Sequence, residues 1–280
     1  MVAVMNHSAE TIAVEKENQL VDYLRSLGRV VVAFSGGVDS TYLMKIARIT
    51  LGENAVAVFA RGAMISTQEQ QEAIYTAKTM DVPLQIIDYD VMKVEGFVHN
   101  QPDRCYHCKM AIFSRIKSIA GAQGFGAVLD GTNQSDQGDY RPGQIALREL
   151  GVYSPLQKIG LSKEEIRLLS RRRGLPTWEK PSMACLASRV PFGDHITLDI
   201  LKKVETAEAV LEVRGFTERR VRVHGDTARI EIPPAAFARL ITEREAVLTG
   251  LKALGFRYVT LDIEGLRSGS LNPVKEAGAD

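Results

Sequence analysis

The sequence has little of several features that would place it in common protein classes. It has only three cysteines, an odd number too small for the disulfide framework of a secreted domain. Its formal net charge of +1 gives no overall attraction to nucleic acid. No apolar run approaches the length that crosses a bilayer, and the first residues lack the basic start and apolar centre of a signal peptide. These absences favour a cytoplasmic globular protein that acts neither in a membrane nor on nucleic acid.

The first part of the chain is patterned as a parallel α/β fold. Short apolar runs, such as residues 30–34 and the stretch "AVAVFA", alternate with helical patterns. This alternation predicts a doubly wound parallel sheet covered by helices on both faces. Ligands of such sheets bind beyond the carboxyl ends of the strands, so the loops that leave the strands are the candidate binding loops.

Regular periodicity stops over residues 174–195, a stretch rich in proline and glycine that also contains a cysteine. A loop of this length in a compact domain is usually functional or disordered. Beyond it, helical spacing returns, and "RRVRVHGDTARIEI" alternates with period two around a Gly-Asp turn, which is typical of a hairpin. We therefore predict an α/β domain over 1–173, a cysteine-bearing active-site loop over 174–195, and a smaller α+β domain over 196–280.

The strongest motif is the "SGGVDS" stretch after the first apolar run. Two adjacent glycines let backbone N–H groups turn toward one point without interference from Cβ atoms. A glycine loop aimed at a helix start binds anions, most often phosphate. No Gly-Lys-Ser/Thr follows, which excludes the nucleotide loop of kinases and GTPases. The candidate nucleotide-binding residues here are Ser35, Gly36, Gly37, Asp39 and Ser40.

A second candidate loop, "DGTNQSDQGDYRPG", follows a later apolar run. Asn, Ser, Asp and Gly are common in turns, so a solvated turn is the alternative interpretation. The preceding strand nevertheless directs this loop to the same edge of the sheet. Its candidate nucleotide-binding residues are Gly131, Thr132, Asn133 and Asp136. Arg61, just after the second strand, is a candidate contact to phosphate or adenine, or else a surface arginine.

The three cysteines form a further candidate site. Cys105 and Cys108 are spaced Cys-x-x-Cys, which suits a redox dithiol, half of a zinc site or half of an iron–sulfur site. With Cys185, three thiolates around a four-iron cluster would leave one iron open to an extra sulfide. A mixed zinc site that includes His107 and His99, or buried structural thiols, remain open.

The loop cysteine has a separate case as a nucleophile. Lys180 precedes Cys185 and Arg189 follows it, and cationic neighbours favour the reactive thiolate. Cys185 and Arg189 are therefore candidate catalytic residues.

The predicted hairpin carries charges on one face. Alternation places Arg220, Arg222 and His224 together, and Arg229 and Glu231 share a face of the return strand. Like charges adjacent on a sheet are unfavourable without a counter-anion, which suggests a substrate that carries phosphate. A solvated basic face, partly neutralised by Glu231, is the alternative.

These motifs together resemble one family. The stretches "AFSGGVDSTYL", "GTNQSD", "KPSMACLASRVPFG", "RVRVHGDTARIEI" and "DIEGLRSGSLN" are similar to those of LarE. LarE enzymes are ATP-dependent sulfur transferases of the ATP pyrophosphatase (PP-loop) superfamily, and they mature the nickel-pincer cofactor of lactate racemase. The resemblance covers nearly the whole chain.

The resemblance implies a substrate, a reaction and an assembly. ATP and Mg²⁺ would adenylylate a carboxylate of a pyridinium-3,5-dicarboxylate mononucleotide. Sulfur would then displace AMP, and a second round would convert the other carboxylate. The resemblance also implies a homo-hexamer in which the C-terminal domain serves substrate binding and oligomer contacts.

The same resemblance implies roles for individual residues. Cys185 would be the sacrificial sulfur donor that ends as dehydroalanine, with Ser188 close to it. The alternative, which three cysteines favour, is a [4Fe-4S] cluster held by Cys105, Cys108 and Cys185 that carries the transferable sulfide. Arg220 and Arg222 would lie near the substrate phosphate, and Glu231 near the site.

Three other functions stay open. A PP-loop tRNA thiolase is disfavoured by the near-neutral charge, because phosphate contacts dominate RNA affinity. An ammonia-using enzyme similar to NAD synthetase would need no cysteine. A non-catalytic module that binds ATP or zinc would release no AMP.

Overall fold

The structure is a computed structural model that describes residues 2–136, 142–181, 184–267 and 269–271. Its helices are α1 (Val2–Leu27), α2 (Val38–Leu51), α3 (Thr67–Thr79), α4 (Glu95–Val98), α5 (Arg104–Ala122), α6 (Pro142–Glu149), α7 (Pro155–Ile159), α8 (Lys163–Arg172), α9 (Leu198–Glu212), α10 (Phe237–Thr242) and α11 (Arg244–Ala253). Its strands are β1 (Val30–Ala33), β2 (Ala55–Arg61), β3 (Leu84–Asp88), β4 (Ala127–Leu129), β5 (Arg220–His224), β6 (Thr227–Glu231) and β7 (Tyr258–Leu261).

By their internal contacts, the described residues divide into two compact units. The first unit holds residues 2–62, 67–89, 105–136 and 142–181. The second unit holds residues 63–66, 90–104, 184–267 and 269–271. The contiguous domain boundaries that we predict from the sequence remain a prediction.

The first unit is built on a parallel sheet of strand order β3-β2-β1-β4. Val31 lies opposite Val56 of β2 and Val128 of β4. One face packs against α5 and α6, where Val31, Val58 and Val128 cluster with apolar residues of both helices. On the other side, α2 contacts β1 and β2 and is covered by α1 and α8. The predicted doubly wound α/β architecture is confirmed.

The pattern of buried residues explains this arrangement. Val30, Val31 and Val32 are all fully buried, as expected for a parallel strand covered on both faces. Burial on both faces fixes the carboxyl end of β1 within the sheet. The chain continues from there through Phe34 into the glycine loop.

The second unit contains a mixed sheet of order β5-β6-β7. Strands β5 and β6 pair antiparallel around the turn of Gly225 and Asp226, and Gly225 adopts φ +58°. Strand β7 pairs parallel to β6. Helix α9 packs on β5 and α11 packs on α9. The smaller C-terminal α+β domain is thus confirmed, with two short helices, α10 and α11, between β6 and β7.

Candidate functional site

The loop between β1 and α2 accepts only glycine at its first turn. Gly36 adopts φ +71°, and a Cβ there would lie 2.7 Å from both Cα and Cβ of Ala73. Gly37 is the N-cap of α2 and offers no side chain to the first amides of that helix. Those N–H groups can therefore receive an anion at the positive end of the helix dipole.

Two predicted nucleotide-binding serines fix the shape of this loop. The Ser35 and Ser40 hydroxyl oxygens lie 3.0 Å apart, and the Ser35 amide donates to Ser40 Oγ at 3.1 Å. The Gly37 amide donates to Ser35 Oγ at 3.3 Å. These bonds hold the loop in one conformation before a ligand arrives.

The second predicted loop packs against the start of α2. A Cβ on Gly131 would lie 3.1 Å from the Ser40 amide nitrogen, so the two loops approach closely only because residue 131 is glycine. The Asn133 amide donates to the Asp136 carboxylate at 3.0 Å, and the Thr132 hydroxyl donates to Asp130. Both loops thus meet at one edge, as predicted; residues 137–141 of the second loop lie outside the described residues.

Asp39, in the first turn of α2, has one bonded and one open carboxylate oxygen. Its Oδ2 accepts from Lys163 Nζ at 2.6 Å. Its Oδ1 is buried and has no hydrogen-bond partner within the described part of the chain. Burial raises the pKa of Asp39 above its ordinary value of 3.8 by more than the Lys163 ammonium lowers it. This carboxylate therefore gains from a further cation at Oδ1.

A second lysine reaches the glycine loop from the long loop after α8. Lys180 Nζ donates to the Gly36 carbonyl at 3.3 Å and forms an ion pair with Glu72 at 2.8 Å. Arg167 of α8 holds this loop by donating to the carbonyls of Trp178 and Lys180. A lysine that the motif itself lacks thus stands beside the glycine loop.

Arg61 ends β2 at the same edge of the sheet. It lies opposite Asp88 in the strand register, and its Nη2 is 2.7 Å from the Asp88 carboxylate. Its role in contacting phosphate or adenine stays a prediction.

Cys105 and Cys108 lie in the first turn of α5 in the first unit, whereas Cys185 belongs to the second unit. A spacing of three residues places the two helical cysteines on one helix face. All three cysteines are free of disulfides. Within the described ranges, no group of three or more His, Cys, Asp or Glu side chains is arranged to hold a metal ion.

Cys185 is followed by a 3₁₀ turn over Leu186–Arg189 in the second unit. Arg189 is 2% exposed and pairs through Nε and Nη2 with Glu208, at 2.7 and 3.0 Å. Its Nη1 donates to the carbonyls of Ala184 and Cys185 and to Ser188 Oγ. Arg189 therefore acts on the backbone around Cys185, and its charge is balanced by Glu208.

Two residues of the hairpin's charged face, Arg222 and Glu231, are buried rather than solvated. Arg222 is 2% exposed and Glu231 is 0% exposed, and they pair at 2.7 Å. Arg229 adds a second bond to Glu231 at 3.0 Å. Arg222 also donates to the Ser188 carbonyl at 2.6 Å, which joins the hairpin to the cysteine-bearing segment.

This face contains buried nitrogen atoms that make no hydrogen bond within the described residues. Nε of Arg222 and Nε2 of His224 are buried with no hydrogen-bond partner in the portion of the chain described, and Nε of Arg229 is buried 3.7 Å from the Asp262 carboxylate. Burial, together with Arg222, lowers the pKa of Arg220. Unsatisfied buried donors and guanidinium groups this close to each other favour an anion.

Sequence reasoning missed three residues of these sites. Lys163, in the first turn of α8, is 124 residues from its partner Asp39. Glu208, on the buried face of α9, is 19 residues from its partner Arg189. Lys180 enters the sequence argument only as a neighbour of Cys185, whereas its ammonium contacts the glycine loop. A buried glutamate on a helix face is the only signal that would point to Glu208.

No helix among the described residues is long and apolar enough to cross a membrane.

Comparisons with known proteins identify related sequences. The NAD synthase family model matches residues 12–119. The pyridinium-3,5-bisthiocarboxylic acid mononucleotide synthase of Lactiplantibacillus plantarum is 40% identical over 263 residues, which cover 94% of this chain and 95% of that protein. An uncharacterised protein of Synechocystis is 38% identical, over 92% of this chain and 97% of its own length. A tRNA-specific 2-thiouridylase of Methylobacterium is 28% identical over 55% of this chain and 50% of its own length.

Proposed function

The chain belongs to the family of pyridinium-3,5-bisthiocarboxylic acid mononucleotide synthases. From this premise we propose that it is an ATP-dependent sulfur insertase, which converts the two carboxylates of pyridinium-3,5-biscarboxylic acid mononucleotide to thiocarboxylates for the nickel-pincer cofactor. The relative that carries this name matches 94% of the chain, and the glycine loop supplies the nucleotide chemistry.

The single structural observation that carries the proposal is the glycine loop at Gly36 and Gly37. A carboxylate oxygen of the substrate attacks the α-phosphorus of ATP, the bond from that phosphorus to the bridging oxygen breaks, and pyrophosphate leaves. The backbone amides of the loop and the first turn of α2 receive the pyrophosphate, since fixed donors stabilise charge that develops there. The nearby Lys180 ammonium adds to this stabilisation.

Mg²⁺ fits the carboxylate at this site. The open, buried Oδ1 of Asp39 is the type of ligand that Mg²⁺ prefers, and such ions use one or two protein carboxylates together with substrate phosphates. Asp39 would hold the ion, which when bound neutralises phosphate charge. Lys163 keeps the other oxygen of that carboxylate oriented.

In the proposed sulfur transfer, Cys185 is the sulfur donor. Its thiolate attacks the acyl carbon, the bond from that carbon to the AMP oxygen breaks, and AMP leaves with the electron pair. The resulting thioester breaks by elimination: a base removes the Cα proton of residue 185, the Cβ–S bond breaks, and the substrate leaves as a thiocarboxylate. Dehydroalanine remains in the chain, and no oxidant or reductant is needed.

The hairpin of the second unit would bind the substrate phosphate. Arg220 and Arg222 carry the charge, and Glu231 holds Arg222 through an ion pair. The unsatisfied donors on this face support an anion there, because a bound phosphate would pair them.

The [4Fe-4S] cluster on Cys105, Cys108 and Cys185 remains a separate prediction. The described side chains bring no three such ligands together, so we derive no step through it. Iron and sulfide analysis of anaerobically purified protein tests it directly.

A homo-hexamer in the cytoplasm, without membrane or nucleic-acid partners, completes the proposal. Sedimentation at several protein concentrations measures the number of subunits.

A tRNA thiolase is the second candidate, favoured by the likeness to tRNA-specific 2-thiouridylases. Transfer of sulfur to tRNA with tight, salt-sensitive binding would support it. An enzyme that uses ammonia, as in the NAD synthase family, would stay fully active after all three cysteines are replaced by alanine.

The decisive experiment incubates the protein with ATP, Mg²⁺ and pyridinium-3,5-biscarboxylic acid mononucleotide. We expect equal amounts of AMP and pyrophosphate, and a thiocarboxylate product by mass spectrometry. AMP release without any sulfur in the product would contradict the proposal.

A further inference from the structure

The segment 184–194, which we call the cysteine segment, is held mainly by side chains. It contains the 3₁₀ turn over Leu186–Arg189 and is otherwise irregular. Four buried side chains of the second unit donate to its carbonyl groups: Arg189 to Ala184 and Cys185, Arg104 to Ala187, Arg222 to Ser188, and Asn100 to Val190, Pro191 and Asp194. Three of these four residues, Arg104, Arg222 and Asn100, lie outside the segment, so its backbone path depends on groups beyond it.

Asn100 makes the largest share of these bonds. Its Nδ2 lies 2.7 Å from the Pro191 carbonyl and 2.9 Å from the Asp194 carbonyl, and its own backbone carbonyl accepts from the Gly193 amide at 3.0 Å. Asn100 is fully buried and adopts φ +55°, a conformation that non-glycine residues rarely take. The hydrogen bonds of Asn100 offset both the burial of its polar amide and its unfavourable backbone conformation.

Arg104 connects Asn100 to the residues next to Cys185. Its Nη1 donates to Asn100 Oδ1 and to the Ala187 carbonyl, the latter at 2.9 Å. Its guanidinium carbon lies 5.1 Å from the centre of the Phe192 ring. One guanidinium thus contacts Ala187 and Phe192, at two points of the cysteine segment.

These contacts also account for two early segments that group with the second unit. Residues 63–66 supply the Met64 carbonyl, which accepts from the Leu186 amide at 3.0 Å. Residues 90–104 supply Asn100 and Arg104, together with the Val98 carbonyl that accepts from the Ile196 amide at 2.9 Å. Both segments therefore form backbone hydrogen bonds with the chain from the 3₁₀ turn to Ile196.

We propose that Asn100 and Arg104 are positioning residues for sulfur transfer: they fix the cysteine segment so that the Cys185 thiol has one orientation. The inference rests on the proposed function for its chemistry and on the second unit alone for its geometry. A reacting atom displaced by about 1 Å can cost on the order of 100-fold in rate, so a fixed backbone next to the nucleophile matters.

The test separates sulfur transfer from adenylylation. Asn100→Asp keeps the acceptor for Arg104 and replaces the donor to three carbonyls with an oxygen that repels them. Asn100→Gly keeps the positive φ and removes the whole side chain. We expect both variants to form about ten-fold less thiocarboxylate per pyrophosphate released than the unmodified protein.

The control is Asp81, which has φ +53° and belongs to the first unit. Asp81→Gly and Asp81→Asn should leave the ratio of thiocarboxylate to pyrophosphate unchanged. Arg104→Met should lower that ratio, and Arg104→Lys should restore part of it, because an ammonium still donates to the Ala187 carbonyl. A merely structural role would reduce pyrophosphate and thiocarboxylate equally.

Alkylation provides a readout that needs no substrate. Iodoacetamide followed by mass spectrometry gives the rate at Cys185 relative to Cys105, and we expect that relative rate to change several-fold in Asn100→Asp. An unchanged relative rate together with an unchanged product ratio would overturn the inference. If the unmodified protein made no thiocarboxylate, the proposed function would fail, whereas the alkylation rates would still decide the positioning.

Discussion

Lys163 and Asp39 form an ion pair at 2.6 Å although 124 residues separate them in the chain. The pair joins the first turn of α8 to the first turn of α2. It orients one oxygen of the Asp39 carboxylate and leaves the other buried and open. Asp39 is therefore prepared to take a cation where the nucleotide phosphates are expected.

Replacing Asp39 by alanine should abolish AMP formation, with a loss of at least about 100-fold, because the carboxylate that holds Mg²⁺ is removed. AMP release with substrate and ATP measures the effect. Asp22, exposed and paired with Arg25 on the surface of α1, gives the control Asp22→Ala, which should keep full activity. Normal AMP release from Asp39→Ala would count against the ATP site.

Gly36→Ala should also lose AMP formation, because the new Cβ would lie 2.7 Å from backbone and side-chain atoms of Ala73 and would displace the loop. Gly28→Ala is a close control, since Gly28 has φ +72° and a Cβ added there would meet no atom within 4 Å. Both variants carry about 1 kcal/mol of backbone strain. Only Gly36→Ala should weaken ATP binding, which calorimetry measures; equal binding by the two variants would contradict the assignment of the loop.

Cys185→Ala should still adenylylate the substrate and release pyrophosphate but form no thiocarboxylate, because only the sulfur that attacks the acyl carbon is missing. Product analysis by mass spectrometry measures the effect, and Cys105→Ala is the comparison. If sulfur comes from Cys185 alone, Cys105→Ala stays active; if a cluster supplies it, both variants fail and the purified protein contains iron. Thiocarboxylate formation by Cys185→Ala would remove this residue from the mechanism.

Glu231 should make stability dependent on pH in the acid range. Despite its burial, the hydrogen bonds from Arg222 and Ser270 hold the pKa of Glu231 below its usual 4.5. The stability that it contributes is therefore present above pH 4.5 and is lost as the pH falls through the lowered folded-state pKa. At pH 7, Glu231→Gln should lower the free energy of unfolding by about 3 kcal/mol, which appears as a lower urea midpoint. The difference should shrink below pH 4.5.

Glu245→Gln is the control for this prediction, because Glu245 is 80% exposed and its pairing with Arg244 contributes little. Its unfolding midpoint should follow that of the unmodified protein at every pH. A difference for Glu231→Gln that stays constant down to pH 3 would show that the carboxylate charge is not responsible.

The sequence predicts the local elements of the nucleotide site well. The run of valines before Ser35 indicates a buried parallel strand, and the paired glycines indicate a loop that binds an anion, because each property depends on residues adjacent in the chain. The hairpin turn at Gly225 and Asp226 is predicted for the same reason. The resemblance to a family adds the expected reaction, and a relative of nearly the same length confirms the family.

By itself, then, the sequence determined the α/β class, the glycine loop and the hairpin, since period, turn chemistry and glycine conformation act over a few residues. Only the tertiary structure decided that Lys163 pairs with Asp39, that Arg222 and Glu231 are buried together, and that Asn100 bonds to the segment around Cys185. These pairings join residues that are distant in the chain. A local sequence pattern does not indicate which distant residue will pair with a charged or amide side chain when folding buries it.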